Sequence, residues 1–266
     1  MRRIVDFHTH AFPDALAARA MKALVAEVPG IPVYLDGTAG DLLRSMDRAG
    51  IEKSVVCCIA TKPEQFEPIL RWCEHIRSDR LIPFPSVHPA DPMVPDRIHC
   101  IRQEGFLGIK LHPYYQDFFA DEGRMQRLYE AVDSSGLLLV MHTGYDVAFP
   151  RIRRADPASI LRVKERFAGL RLVATHLGAW QQWDEVCEQL IGRGVPMEIS
   201  FALDELDVER ARSMILGHPD GHVLFGTDSP WTDQGQTLAL LERLQLPDEK
   251  LEAILGGNAL SLLGLP

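Results

Sequence analysis

Eight short apolar runs alternate with longer segments of helical periodicity, and this alternation constrains the fold more than any other feature. In the helical segments apolar residues recur at spacings of three and four, as in amphipathic helices. Strands that alternate with helices form a parallel sheet, and eight strands suffice to close a small barrel. The sequence therefore predicts an α/β fold, a single-domain (β/α)8 or TIM barrel over residues 1–266. The predicted strands are Ile4–Phe7, Ser54–Ile59, Leu81–Ser86, Leu107–Leu111, Leu137–Met141, Arg171–Thr175, Met197–Ser200 and Val223–Gly226.

The segments between and after these strands are predicted helices, and no linker or block of like charges divides the chain. A doubly wound open sheet remains an alternative, because strand count alone does not prove closure. A barrel brings its strand ends to one point, whereas an open sheet spreads them along a line. The predicted helices are Asp14–Glu27, Asp41–Ala49, Glu64–Arg77, Pro95–Glu104, Arg124–Ser134, Pro157–Phe167, Gln181–Arg193, Val208–Leu216, Gln236–Leu244 and Asp248–Leu263.

Composition narrows the class of partner. Lysine and arginine total 28 against 37 acidic residues, a net charge of −9, so no basic surface for nucleic acid or anionic membrane is expected. None of the five cysteines forms a CxxC pair. We expect no signal peptide, and the sequence contains no apolar run of the roughly 20 residues that span a bilayer. We expect a soluble cytoplasmic protein with a small-molecule substrate, and homo-oligomerisation remains open.

Histidines stand where predicted strands end. His8 and His10 close the first run, and strand alternation predicts that they face the same way, with Phe7 on the opposite side. Asp6, in phase with them, is interpreted as a deeper carboxylate that orients an imidazole. An HxH pair alone fits metal binding and two ordinary polar residues about equally well. The case for metal depends on the other strands.

The later strands repeat the pattern. The fifth and sixth runs end at His142 and His176, and the eighth ends near Asp228. Histidine supplies only 10 of 266 residues, so its recurrence at strand ends favours a common site over isolated core histidines. These side chains suit a divalent metal, zinc first, with manganese, iron or nickel as alternatives and one or two ions. A carboxylate at Asp228 can also take a proton from metal-bound water.

A resemblance follows from these motifs. DFHTH, GIKLHP, MHTG, THLG and GTDSPW, followed by GGNALSLLGL, resemble the amidohydrolase superfamily, in particular the amidohydrolase-related (amidohydrolase 2) family of metal-dependent TIM-barrel hydrolases and decarboxylases. The likeness extends from residue 6 to residue 265. It implies a (β/α)8 barrel with one or two divalent ions. The residues that it implies as ligands are His8, His10, His142, His176 and Asp228.

Lys110, at the end of the fourth strand, decides the number of ions. In the resembled superfamily this place holds a carboxylated lysine, a bridging glutamate or no ligand. A free ammonium beside divalent cations is repelled. Lys110 therefore forms a bridging carbamate, loses its proton, or turns away to bind an anionic substrate. We favour the carbamate, then the substrate-binding role, and a structural salt bridge last. In the mononuclear alternative His176 leaves the ligand set and acts as a general base. His112 and Trp231 are predicted to contact the substrate.

Three functions remain at this point. The leading hypothesis is a hydrolase in which metal-activated hydroxide cleaves an ester, lactone or amide, with Asp228 and His176 as catalytic residues. The alternative is a metal-dependent, non-oxidative decarboxylase of an aromatic or unsaturated carboxylic acid. A metal-binding barrel without catalysis is the third, and no feature of the sequence supports it. The lysine on strand four favours the hydrolase, because a bridged pair of ions suits attack by water.

Overall fold

The computed structural model describes residues 2–266, within which eight parallel strands lie where the sequence predicts them. Each strand bound is within two residues of the predicted one. Every strand is short, as expected for runs bounded by loops that carry polar residues. The strands are β1 (Val5–Thr9), β2 (Lys53–Cys57), β3 (Leu81–Phe84), β4 (Gly108–Leu111), β5 (Leu138–Met141), β6 (Arg171–Ala174), β7 (Met197–Glu198) and β8 (Val223–Leu224).

The strands close into a barrel. Strands β1–β3 form one parallel sheet and β4–β8 a second. Two backbone contacts join the sheets: Lys110 N donates to Pro85 O at 3.0 Å, and Phe7 N donates to Phe225 O at 2.8 Å. Hydrogen bonds therefore connect β3 to β4 and β8 to β1. The predicted (β/α)8 barrel is confirmed, and the open-sheet alternative is wrong.

Helices surround the barrel and begin at side-chain caps in several places. Asp156 accepts a hydrogen bond from Ser159 N, and Asp207 does the same for Arg210 N. No helix described within residues 2–266 combines the length and hydropathy needed to cross a membrane. The helices are α1 (Asp14–Glu27), α2 (Ala39–Ala49), α3 (Phe66–Ile76), α4 (Val94–Gln103), α5 (Gln126–Ser135), α6 (Pro157–Arg166), α7 (Trp183–Gln189), α8 (Ala202–Glu205), α9 (Val208–Gly217), α10 (Gln234–Arg243), α11 (Asp248–Glu252) and α12 (Asn258–Leu263).

Two apolar clusters divide the core between the two faces of the strands. Along β5, Leu138 and Val140 belong to a cluster with Phe84 and α12, whereas Leu139 and Met141 pack in the larger cluster formed with the surrounding helices. This is the alternation of a strand that is buried on both faces. Apolar side chains thus cover both faces of the middle of the strands, and polar side chains lie where the strands end.

Strand β1 departs from simple alternation. Its register against β2 shifts between Asp6 and Thr9. Phe7 packs edge-on against Phe84 with the ring centroids 6.1 Å apart, while Asp6 accepts hydrogen bonds from Thr227 and from Gln234 of α10. The interpretation of Asp6 as a carboxylate that orients an imidazole is therefore wrong. Burial raises the pKa of Asp6 to about 7, although the hydrogen bonds from Thr227 and Gln234 act to lower it.

Candidate metal centre

The eight residues predicted from the sequence as metal ligands, catalytic residues or substrate contacts line one cavity of about 790 Å³. They come from five of the eight strands or the loops that follow them, so the barrel brings together positions up to 223 residues apart. This is the convergence expected at the carboxyl end of a parallel barrel. The residues are His8, His10, Lys110, His112, His142, His176, Asp228 and Trp231.

Hydrogen bonds fix the orientation of the first two imidazoles. His8 Nδ1 lies 3.0 Å from Glu198 Oε1, and His10 Nδ1 lies 2.7 Å from Cys57 O. A carboxylate and a carbonyl only accept, so each neutral ring carries its proton on Nδ1. Burial lowers the pKa of His8, which favours the neutral form. Each Nε2 therefore carries its lone pair on the side of the ring that faces the cavity, the state that metal ligation requires.

His142 and His176, which follow β5 and β6, repeat this arrangement. His142 Nε2 donates to Tyr145 O at 2.9 Å, and His176 Nδ1 lies 3.2 Å from Ser200 O and 2.9 Å from Ser200 Oγ. The remaining nitrogens, His142 Nδ1 and His176 Nε2, face each other at 3.1 Å. Burial lowers the pKa of both rings, and their neutral forms present two lone pairs to each other. A shared cation or proton removes that repulsion.

Asp228 completes the donor set. Its Oδ1 is 2.9 Å from His10 Nε2 and 3.5 Å from His8 Nε2, yet it is a buried acceptor without a hydrogen-bond donor among the described residues. Burial would raise the pKa of Asp228, but the imidazoles of His8 and His10 hold it well below its ordinary value. Two imidazole nitrogens thus lie close to an ionised carboxylate oxygen that has no donor of its own. This donor set fits a divalent cation.

Two of these residues occupy backbone conformations that L-amino acids rarely adopt. His176 has φ of 58° and Asp228 has φ of 60°. Such left-handed conformations at non-glycine residues cost about 1–3 kcal/mol each and persist where the surrounding structure enforces them. Both lie in the loops that follow β6 and β8, where this backbone conformation directs their side chains into the cavity.

Lys110 is completely buried at the same centre. Its Nζ lies 2.8 Å from His8 Nε2, so the ammonium donates to the lone pair that a metal would use. A cation bound by His8 therefore requires Lys110 to exchange this hydrogen bond for another acceptor. A buried ammonium without a bonded carboxylate is costly, and an anionic ligand would relieve that cost.

Glu198 is the residue of the centre that the sequence interpretation missed. Besides His8 it accepts from His176 N at 2.9 Å, Ser200 N at 2.7 Å and Ser200 Oγ at 2.9 Å. Burial alone would raise the pKa of Glu198, but His8 and Ser200 N lower it to about 2. A signal existed, because a glutamate inside the predicted strand Met197–Ser200 needs a buried partner. The pattern of histidines at strand ends does not include a carboxylate within a strand.

His112 and Asp146 form a second group beside the centre. The His112 ring stacks on His142 with centroids 4.1 Å apart, and its Nε2 lies 3.3 Å from Asp146 Oδ2. Burial lowers the pKa of His112 well below its ordinary value. Asp146 also lines the cavity and had no signal in the sequence beyond its place after the fifth strand. Trp231 lies on the cavity wall next to Asp228, as a substrate-contacting residue must.

The comparisons with known proteins agree with this barrel. The sequence model of the family described as Amidohydrolase matches residues 5–265. The chain therefore belongs to this amidohydrolase family, whose members are enzymes that bind a divalent metal. A search of curated protein sequences finds no match.

Solved structures extend the likeness to the whole chain. An uncharacterised TIM-barrel protein from Bordetella bronchiseptica is 22% identical, with 98% of each chain covered and a TM-score of 0.76. The 5-carboxyvanillate decarboxylase LigW from Sphingomonas paucimobilis is 15% identical over the full length of both chains, with a TM-score of 0.75. A probable 2-pyrone-4,6-dicarboxylic acid hydrolase from Acinetobacter baumannii is 13% identical, with 99% of this chain and 100% of that chain covered and a TM-score of 0.67. At these low identities the TM-scores show a shared fold alone.

Proposed function

We propose that this protein is a metal-dependent decarboxylase that removes the carboxyl group of an aromatic or unsaturated carboxylic acid without net oxidation. The observation that carries the proposal is the buried ammonium of Lys110 beside His8, in a cavity with mainly apolar walls. An ammonium in such surroundings binds a carboxylate more strongly than it would in water. The names of similar structures, among them 5-carboxyvanillate decarboxylase, support the same reaction class.

The position of Lys110 favours a free ammonium over the carbamate expected from the sequence. A carbamate adds a carbon and two oxygens to Nζ, and Nζ is already 2.8 Å from His8 Nε2. Those atoms fit only if the lysine side chain withdraws. A free ammonium instead needs one change, the exchange of His8 for the substrate carboxylate when a metal takes His8 Nε2. We therefore favour a single ion held by His8, His10, His142 and Asp228.

A divalent ion at these four residues, zinc or manganese for example, would supply positive charge that orients the acid and stabilises charge on its ring. The side chains of this protein do the remaining work. Lys110 holds the carboxylate, and the apolar walls exclude water from it. His176 takes up a proton from water at its unprotonated ring nitrogen and delivers it. The bond between the ring carbon and the carboxyl carbon breaks, the electron pair of that bond takes the proton, carbon dioxide leaves, and His176 is neutral again. Asp228, with its lowered pKa, stays ionised.

Hydrolysis is the second candidate, and the division of the donor atoms favours it. His8, His10 and Asp228 form one group of ligand atoms, while His142 and His176 face each other in another. Two groups suit two ions, and a pair of ions suits attack by water on an ester or lactone. Asp228 would then accept the proton of that water. The name of one similar structure, a probable pyrone dicarboxylic acid hydrolase, agrees with this reaction.

Metal content and product analysis separate the two. The protein is loaded with zinc or manganese, its ions per chain are counted by elemental analysis, and it is incubated with separate panels of aromatic acids and of esters and lactones. We expect one ion per chain and release of carbon dioxide with a decarboxylated ring product. Two ions per chain with ester or lactone cleavage and no carbon dioxide would reject decarboxylation in favour of hydrolysis.

Two substitutions test the roles of the side chains. Asp228→Asn removes the ligand charge and is expected to abolish turnover while the fold is retained. Lys110→Met keeps the metal but weakens binding of a carboxylate by about tenfold or more, because a charged hydrogen bond is lost. Lys22→Met, an exposed change on α1, is the matched control. Unchanged carboxylate binding in Lys110→Met would exclude Lys110 from substrate recognition.

A further inference from the structure

The cavity has a polar end and an apolar end. Strand-end residues form the polar end, which is the candidate metal centre. The apolar end is lined by α1 and α3, which follow the first two strand–loop units of the barrel. These helices contribute one charged residue, Arg19, and the apolar residues Leu16, Ala20, Ala23, Leu24, Pro68, Ile69 and Trp72 to the wall. A ligand that binds at the polar end therefore has apolar surface in front of it.

The cavity is larger than a one-ring acid requires. A cavity of about 150 Å³ is enough to hold benzene, and this one measures about 790 Å³. A benzoate-sized ligand would leave the surfaces of α1 and α3 untouched. Apolar contact contributes to binding in proportion to the area removed from water. A ligand with a larger apolar body would thus use a wall that a small one leaves exposed.

Helix α1 is patterned to form that wall. Leu16, Ala20 and Leu24 recur at spacings of four on one face, while Ala17 and Met21 on another face are buried against the protein. Leu16 is 42% exposed, so a large part of an apolar side chain on the cavity wall is not covered by protein. The small side chain of Ala20 leaves space for a ligand on this face of the helix.

We propose that the site takes aromatic acids whose apolar body extends beyond one ring, as a second ring or an alkyl chain. The carboxylate lies at Lys110 and the added body lies between α1 and α3. The inference rests on the proposed function for the position of the carboxylate only. The inference can be tested by binding alone, whereas the proposed function is tested by the release of carbon dioxide.

Binding of a size series to the metal-loaded protein tests the inference. Benzoate, 2-naphthoate, biphenyl-4-carboxylate and 4-hexylbenzoate are titrated by calorimetry. We expect biphenyl-4-carboxylate and 4-hexylbenzoate to bind about tenfold or more tightly than benzoate, because they bury more apolar area. Equal or weaker binding of the larger acids would overturn the inference.

A filled cavity gives the second measurement. Ala20→Phe places a ring in the proposed space and should weaken binding of biphenyl-4-carboxylate about tenfold while benzoate binding is unchanged. Ala18→Phe is the control, because Ala18 is exposed on the same helix and does not line the cavity. If Ala20→Phe does not fold, Ala23→Leu replaces it. If Ala20→Phe weakens the binding of both acids equally, or of neither, the assignment of this wall is contradicted.

The outcomes separate this inference from the proposed function. Carbon dioxide released from one-ring acids, with no gain in affinity for larger ones, overturns the inference and keeps decarboxylation. Affinity that increases with ligand size, without carbon dioxide from any acid, supports the wall and rejects decarboxylation.

Discussion

At the scale of single residues, Glu198 is expected to control metal affinity without being a ligand. Its carboxylate holds the Nδ1 proton of His8 and also binds Ser200, which holds His176. In Glu198→Gln the amide loses the charge that makes His8 more basic, so metal affinity should fall about 10–100-fold. Competition with a chelator of known affinity measures this. Glu209→Gln, an exposed change on α9, is the control, and equal affinities in the two variants would refute the role.

The sequence predicted the ligand residues of this centre but not the residues that orient them. His8, His10, His142, His176 and Asp228 could be recognised because a strand end is a local pattern. The register shift in β1 depends on pairing with β2 and with the chain after β8, and no local pattern encodes it. Alternation therefore assigned the orienting role to Asp6, when a strand 190 residues away supplies it through Glu198.

At the scale of elements, the approach of β7 to the segment after β8 depends on Gly226. A Cβ at this position would lie 2.3 Å from Glu198 Oε2. Gly226→Ala should therefore displace the carboxylate, lower metal affinity as Glu198→Gln does, and cost about 1–3 kcal/mol of stability from overpacking. Chelator competition and urea unfolding measure the two effects.

Gly123→Ala is the matched control, because a Cβ there meets nothing within 4 Å. The double variant Gly226→Ala/Glu198→Gln should lose little more metal affinity than either single variant, since both act through the same carboxylate. Fully additive losses would show that Gly226 acts by another route.

The elements themselves were predictable to different degrees. The long helices follow the three-and-four spacing closely, and α1 has the predicted bounds. Helix α8 was missed because its four residues are too few to show a period. The predicted helix Asp248–Leu263 contains a π-helical turn at Ala253–Gly257, where Phe225 N donates to Ile254 O. That hydrogen bond is tertiary, so helical periodicity alone could not indicate the interruption.

At the scale of the whole molecule, pH should change stability through a residue far from the centre. His218, just after α9, is buried, and its Nε2 lies 2.9 Å from Val195 O. Burial lowers its pKa to about 4 from 6.5, despite the hydrogen bond to Val195. As the pH falls below 6.5, His218 is protonated in the unfolded chain, whereas in the folded chain it stays neutral until about pH 4. The contribution of His218 is fully present above pH 6.5 and is lost as the pH falls through this window.

The magnitude and the control make this prediction specific to His218. The free energy of unfolding should fall by about 2 kcal/mol more in the wild-type protein than in His218→Gln between pH 7 and pH 4.5, because glutamine keeps the donor but cannot titrate. Urea unfolding at the two pH values gives the difference, in which the groups common to both proteins cancel. His75→Gln, an exposed change on α3, should leave the pH dependence unaltered. The same pH dependence in His218→Gln and the wild-type protein would mean that water or a neighbouring charge already stabilises the protonated ring in the folded state.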